Sequence, residues 1–192
     1  MKETTKLFWK DARDNFLSHI GGWIVCSIFA IAFLGFINDD KQPLIQLAIG
    51  VLFLIIYSFP VYGTMWRQGY RDLNKQQFNR VQKDVTRGFR VGLAAAIPYF
   101  VMVLLLFMTK LELFPNFLFV FRLLNAEIWP FINIINVSPW MPEFSWLQLI
   151  GVGLLTMIPA VLSGCFYLLG NHDIQPWNRL VYVKKKDVKT KQ

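Results

Sequence analysis

The chain has 192 residues, of which 55% are hydrophobic, including 18 phenylalanines, and its formal net charge is +8. A single soluble core of this length cannot bury that much apolar surface, so the composition excludes an ordinary soluble domain and indicates a lipid-facing exterior. The basic residues lie in short stretches between long apolar runs. This distribution argues against binding to nucleic acid and favours anionic lipid headgroups as a partner.

The segment before the first long apolar run predicts an amphipathic helix on the inner membrane surface. Leu7, Phe8, Ala12 and Phe16 recur at helical spacing and form an apolar stripe opposite basic residues. A similar pattern over residues 81–89 predicts a second surface helix.

Four apolar stretches are each long enough to cross the hydrocarbon of a membrane as a helix, and none contains Asp, Glu, Lys or Arg. The pattern predicts an all-α polytopic integral membrane protein with about four transmembrane helices. The predicted spans are Phe16–Ile37, Leu44–Met65, Val91–Thr109 and Trp146–Gly170.

The charges of the connecting segments predict which side of the membrane each one occupies, because Lys and Arg are retained on the cytoplasmic side. Both terminal segments and the connector between the second and third spans are basic. The first connector, Asn38–Gln42, is acidic, and the third, Lys110–Ser145, contains more acidic than basic residues. We therefore expect a protein of the plasma membrane with both termini in the cytoplasm.

Short motifs recur along the chain. Lys10–Phe16 resembles Lys83–Phe89, and Gly69–Asp72 resembles Gly170–Asp173 in its first and last residues. The pattern predicts a single membrane domain made of two tandem helix pairs in the same orientation, unless the short matches arose by chance.

The boundaries of the two helix pairs are set by these motifs. The first pair, with its N-terminal interfacial helix, takes residues 1–80, and the second, with its basic tail, takes residues 81–192. Gly69 and Gly170 are expected to take the left-handed conformation that ends a helix, with Asp72 and Asp173 as N-caps of the next cytoplasmic turn or short helix.

An insertion at residues 113–142 distinguishes the second helix pair from the first. Its apolar stripe and its tryptophans predict one or two helices that lie on the outer membrane interface or re-enter shallowly. A fifth span is disfavoured because Arg122, Glu127 and Pro130 would have to enter hydrocarbon. The residues expected on this outer platform are Phe117, Phe121, Arg122, Glu127, Trp129 and Trp140.

The string Gly170-Asn171-His172-Asp173 resembles the Gly-Asn-His-Asp/Glu element of metallophosphoesterases, and the resemblance implies that Asn171 and His172 bind metal. The upstream Asp-x-His and Gly-Asp-x-x-Asp elements of that family are missing, which favours a helix end over a metal site. The residues expected to form a functional or structural cluster at the inner face are His19, Asp72, Arg80, His172, Asp173 and Arg179.

No cofactor or metal is predicted, since nucleotide-binding and hydrolase motifs are missing. Polar residues within the spans, including Tyr57, Tyr99 and Ser163, are expected to form hydrogen bonds between helices. The sequence therefore favours a non-enzymatic accessory or scaffold subunit of a transport or cell-envelope complex, associating through small-residue helix faces.

Two alternatives remain open. The first is a small solute carrier or channel that acts as a homo-oligomer, since prolines 60, 98 and 159 can kink three spans. The second is an enzyme acting on a lipid or isoprenoid phosphate, with His19, His172, Asp173 and the inner-face arginines as its candidates.

Overall fold

The computed structural model describes residues 2–37, 43–78, 82 and 84–175. All regular structure in these residues is helical, which confirms the predicted all-α class for this part of the chain. The elements are α1 (Lys2–Ala32), α2 (Leu34–Ile37), α3 (Pro43–Gln77), α4 (Arg87–Ala95), α5 (Ile97–Lys110), α6 (Leu118–Leu124), α7 (Trp129–Ile135), a 3-10 turn (Met141–Glu143), α8 (Trp146–Leu155) and α9 (Ile158–Asn171).

Three helical segments of the described residues are long and apolar enough to cross a membrane: Thr5–Ala32, Pro43–Gln77 and Trp146–Asn171. The consecutive helices α4 and α5 are bent by 49° at their junction and make a fourth crossing segment if they act as one. The sequence-based count of about four spans therefore agrees with three to four helices of sufficient length and composition.

The helix breaks follow the prolines. Pro98 lies in the first turn of α5 and Pro159 in the first turn of α9, where a missing N–H costs least. Each proline disfavours helical backbone just before it, which separates α4 from α5 and α8 from α9. Pro60 instead lies inside α3, which continues through it.

The N-terminal amphipathic segment differs from the prediction, because α1 runs without a break from Lys2 to Ala32. The segment contains no Gly or Pro to interrupt the helix, and Asp11 is anchored by arginines of α3 and α4. The second expected surface helix does not form in the part that is described, since α4 begins only at Arg87. Residues 79–81 and 83 lie outside the described residues, as does the first connector at 38–42.

Helix α3 is the central element and packs along α9, α1 and α7. A Cβ atom added at Gly69 would overlap the carbonyl oxygen of Tyr167, and one added at Gly170 would overlap that of Trp66. The two contacts are equivalent. In each, the carbonyl group belongs to the residue three positions before the glycine of the opposite helix. The glycines thus allow the backbones of α3 and α9 to approach closely.

The predicted helix end at Gly69 is wrong, and so is the predicted left-handed conformation of both glycines, whereas α9 does end next to Gly170, at Asn171. No glycine among the described residues has a positive φ, and α3 continues past Asp72 to Gln77. After α9 it is Asp173 that adopts the left-handed conformation, with φ 51°. Close helix contact, rather than backbone reversal, is what requires Gly69 and Gly170.

Candidate functional site

Helices α6 and α7 form a hairpin that packs into the bundle. Trp23 Nε1 donates a hydrogen bond to the Leu123 carbonyl oxygen at 2.7 Å, and Ser27 Oγ donates to the same oxygen at 3.0 Å. The last carbonyl groups of a helix have no partner within that helix, so side chains of α1 satisfy one for α6. Because Trp23 and Ser27 lie in the middle of the predicted span Phe16–Ile37, the hairpin contacts α1 at the middle of that apolar stretch.

This placement changes the expected outer platform. Phe121, Arg122, Glu127 and Trp129 are buried in the protein rather than displayed on a surface. The apolar stripe that predicted a lipid-facing helix instead packs on neighbouring helices. Of the remaining platform residues, Phe117 is half-buried and Trp140 is exposed.

Arg122 fastens the base of the hairpin. Its Nη2 atom donates to the carbonyl oxygens of Asn136 and Ser138 at 2.8 and 3.0 Å. Burial lowers the pKa of this guanidinium, but its hydrogen bonds to backbone give the charge polar neighbours. The burial of Arg122 is therefore explained by its contacts within the connector.

Glu127 lies in the turn at the tip of the hairpin and is 0% exposed. Neither carboxyl oxygen has a hydrogen-bond partner among the residues that the structure describes. It is close enough to Cys26 of α1, Tyr57 of α3 and Tyr99 of α5 for a charge on it to act on them, so groups from three helices lie near it. Burial raises the pKa of this carboxyl, because a desolvated carboxylate is disfavoured relative to the neutral acid.

A buried chain of polar side chains runs through the bundle beside the hairpin. Tyr57 Oη lies 2.6 Å from His19 Nδ1 and 3.3 Å from Tyr99 Oη. On the other side of the imidazole ring, His19 Nε2 lies 3.2 Å from Ser163 Oγ, to which Asn15 Nδ2 also donates at 3.0 Å. We call Asn15, His19, Tyr57, Tyr99 and Ser163 the polar chain.

The donors of the polar chain can be ordered from the available partners. Ser163 Oγ donates to the Pro159 carbonyl oxygen at 2.8 Å, so it accepts from His19 Nε2. His19 Nδ1 then accepts from Tyr57, and Tyr57 accepts from Tyr99. Every described link is satisfied with a neutral imidazole that carries its proton on Nε2.

An ionic cluster lies beyond Asn15 at one end of the bundle. Arg71 donates to both carboxylate oxygens of Asp11 at 3.0 and 2.8 Å, and Arg87 donates to Asp11 at 2.8 Å. Asp72 lies 3.3 Å from Arg71 and 3.1 Å from Arg87, and it accepts a hydrogen bond from Tyr167 at 3.0 Å. Both carboxylates are 2% exposed and fully paired, as buried charges need to be.

The residues expected at the inner face are therefore separated. Asp72 belongs to the ionic cluster, and His19 belongs to the polar chain within the bundle. His172 and Asp173 are exposed after the end of α9 and join neither group. Arg80 and Arg179 lie outside the described residues.

The structure assembles no metal site from the described residues, among which no group of three His, Cys, Asp or Glu side chains is close enough to hold an ion. His172 is the C-cap of α9, and Asn171 is buried at the end of that helix. In the described part of the chain, the motif that resembles the metallophosphoesterase element forms a helix end.

Sequence reasoning missed the polar chain as a unit, although a signal was present. Asp11, Asn15 and His19 recur at intervals of four residues, which places them on one face of α1, and all three are buried. A polar stripe that continues from a helix end into an apolar span predicts a polar interior. The sequence contained no such signal for the burial of Glu127, because that burial depends on how the connector folds.

Comparisons with protein-family models, curated proteins and solved structures find no match for this chain. The class is therefore defined by the fold and the site alone. They define an all-helical protein with three to four helices able to cross a membrane and a buried polar interior.

Proposed function

We propose that the chain is a small membrane carrier or channel, and the observation that carries this proposal is the unpaired carboxyl of Glu127 inside the bundle. A carboxyl held away from water without a partner is costly, and within a membrane such groups mark ion or substrate pathways. The apolar spans themselves contain no acidic residue, but the hairpin brings one between them from a connector.

The form of the hairpin supports the same proposal. A turn that interrupts helical backbone at membrane depth is tolerated only where protein or a water-filled cavity surrounds it. Interrupted helices also form the substrate sites of many transporters. Residues of the turn between α6 and α7 pack with α1 and α3 through Ala126 and contact α5 through Asn125 and Met102, and Tyr57 and Tyr99 of the polar chain lie near it.

Flux measurements test this function. The purified chain is reconstituted into liposomes, and uptake of a broad panel of ions, amines, acids and sugars is measured with and without a proton gradient. We expect a solute-dependent flux that Glu127→Gln lowers at least tenfold, whereas Glu112→Gln, which changes an exposed carboxyl, leaves it intact. Absence of flux across the panel, or equal flux in Glu127→Gln, would overturn the proposal.

An accessory subunit is the second candidate, favoured by glycines next to which the described residues leave open space. A Cβ at Gly21 or Gly63 would meet nothing within 4 Å, so these positions are free to contact a partner protein or a second copy. Gly22, Gly92 and Gly164 instead pack on other residues of this chain. Crosslinking in mild detergent should then capture a partner through cysteines placed at 21 and 63, and repeated recovery of the chain alone would exclude it.

We also propose that the ionic cluster faces the cytoplasm in the plasma membrane. The N-terminal ends of α1 and α4 meet the C-terminal ends of α3 and α9 at this end of the bundle. Their flanking segments are those with the most Lys and Arg. Reporter fusions at Lys75 and Gln192 should then read inside and fusions at Asp40 and Pro139 outside, and any reversal would contradict this orientation.

A cleft at the same end supports the proposed contact with anionic lipid. It has a volume of about 390 Å³ and is lined by Arg67, Tyr70, Arg71, Asn74, Lys75 and Phe78. Aromatic and basic side chains together suit a lipid headgroup at the membrane interface. Native mass spectrometry should show less bound phosphatidylglycerol in the double variant Arg67→Gln, Lys75→Gln, while bound phosphatidylcholine stays the same. Equal loss of both lipids would contradict an electrostatic site.

A further inference from the structure

The polar chain can be hydrogen bonded in two directions. In the first, Tyr99 donates to Tyr57, Tyr57 donates to His19 Nδ1, and the imidazole is neutral. In the second, protonated His19 donates from Nδ1 to Tyr57, and Tyr57 donates to Tyr99. The heavy atoms have the same positions in both arrangements, so only protons need to move.

Resting on the proposed transport function, we propose that Glu127 and His19 form a proton-exchanging pair connected through Tyr99 and Tyr57, and that the proton is the ion to which transport is coupled. Glu127 is the acid at one end of this path, and His19 is the base at the other. The tyrosine hydroxyls pass the proton on and keep no net charge.

Atoms and charges balance in this transfer. The carboxyl O–H of Glu127 breaks and its proton binds Tyr99 Oη; Tyr99 gives its own proton to Tyr57 Oη; Tyr57 gives its proton to His19 Nδ1. A neutral acid and a neutral imidazole thereby become a carboxylate and an imidazolium. No oxidant or other co-reactant is needed, and reversal restores the starting state.

One link of the path is open in this structure. Glu127 is close enough for its charge to act on Tyr99, but the two side chains are not hydrogen bonded. A rotation of the carboxyl or a bridging water closes this link. An open link allows the site to hold a proton until a conformational change releases it, as a coupled carrier requires.

The groups near Glu127 favour a proton as its ligand. The titratable groups that face it are Cys26 from α1, Tyr57 from α3 and Tyr99 from α5. Cys26 donates its thiol hydrogen to the Phe53 carbonyl oxygen at 3.4 Å, so it does not compete. No Lys or Arg in the described residues forms an ion pair with Glu127, so the carboxyl is neutralised by protonation.

Infrared spectroscopy of the full chain in lipid nanodiscs tests the acid directly. We expect a carbonyl stretching band of a protonated carboxyl that persists above the pH range of ordinary carboxyls and disappears as the pH is raised further. Glu127→Gln should remove this band, and Glu112→Gln should keep it. A wild-type spectrum without the band, or a band that remains in Glu127→Gln, would overturn the proposal. Gln has nearly the shape of the neutral acid, so the variant should fold.

The path is tested by the rate at which the band disappears after a rapid rise in pH. Tyr57→Phe should slow this step by about a hundredfold, the lower end of what a positioned proton-transfer group contributes. Tyr62→Phe is the matched control, since Tyr62 lies on the same helix but makes no part of the polar chain. An unchanged rate in Tyr57→Phe would overturn the path.

The outcomes also separate this inference from the transport proposal. A titrating Glu127 with no flux of any solute would exclude transport while supporting proton binding. Flux that depends on Glu127 but not on a proton gradient would support transport and overturn the coupling. Flux with a fixed proton stoichiometry that Glu127→Gln abolishes would support both.

Discussion

The ionic cluster and the hairpin tip both contain buried carboxyl groups, but they differ in the partners of those groups. Asp11 and Asp72 are surrounded by Arg71, Arg87 and Tyr167, and each carboxylate has several partners. Glu127 has none in the described residues. The cluster is explained by folding, because it joins the ends of four helices. Glu127 has no such explanation, and this contrast is why we assign it to function.

The first prediction concerns the paired carboxylate. Asp11→Ala should lower the free energy of unfolding by about 3 kcal/mol, because Arg71 and Arg87 would lose one of their two carboxylate partners and the buried cluster would keep an excess of positive charge. Thermal unfolding in detergent, followed by size-exclusion chromatography, measures the loss. Asp14→Ala is the control, since its pair with Arg13 is exposed, and it should change stability little. Equal effects of the two variants would show that the ionic cluster does not join the helices.

The second prediction concerns the crossing of α3 and α9 that supports the cluster. Gly69→Ala should cost about 2 kcal/mol, since the new methyl group overlaps the Tyr167 backbone and forces the helices apart. Gly63→Ala on the same helix faces open space and should leave stability unchanged or slightly higher. Detergent-melting temperatures decide between them. A neutral Gly69→Ala would be inconsistent with close backbone contact.

The third prediction concerns how Glu127, at the hairpin tip, makes the stability of the protein depend on pH. Because burial raises the pKa of Glu127, the folded protein binds this proton more tightly than the unfolded chain does. The resulting stabilisation is complete below the ordinary carboxyl pKa and is lost as the pH rises through the raised value. Glu127→Gln lacks this loss, so its stability relative to wild type should increase from acidic to alkaline pH, by about 1.4 kcal/mol for each pH unit between the ordinary and the raised pKa. Melting temperatures measured across that range provide the test.

Glu112→Gln removes an exposed carboxyl and is the matched control for this pH series. Its stability should follow wild type at every pH. If Glu127→Gln also follows wild type throughout, Glu127 is not held as a neutral acid, and the contrast with the ionic cluster disappears.

The smallest expected effect on stability concerns the hydrogen bond between Tyr99 and Tyr57 in the polar chain. Tyr99→Phe removes one hydroxyl whose bond to Tyr57 is 3.3 Å long, and it should cost about 0.5–1 kcal/mol. Tyr62→Phe should cost less, since Tyr62 is half-buried at the bundle surface. A loss above about 2 kcal/mol at Tyr99 would point to a structural network rather than a proton path.

The sequence was sufficient to predict the helical class and the approximate number of helices able to cross a membrane, because both depend on local properties. An uncharged apolar run of adequate length must be helical in lipid, and Pro98 and Pro159 mark where such a run bends. Glycine roles were harder to predict. Gly69 and Gly170 suit either a left-handed helix end or a close helix contact, and only the position of the opposite helix decides.

The hairpin was beyond sequence reasoning for a related reason. Arg122 and Glu127 argue against burial in lipid, and that argument is sound for a helix exposed to hydrocarbon. It does not apply to a helix enclosed by protein, where Arg122 finds the carbonyl groups of Asn136 and Ser138. Whether α1 and α3 leave room for the hairpin is a property of the assembled bundle.

The docking of the hairpin on α1 also constrains how the protein is made. Helices α6 and α7 have seven residues each, too few to partition into a bilayer on their own, and the hairpin also carries Arg122 and, in its turn, Glu127. Trp23 and Ser27, which satisfy the end of α6, belong to α1, which is synthesised before the hairpin. We therefore expect the hairpin to take its place in the bundle only after α1 and α3 have come together.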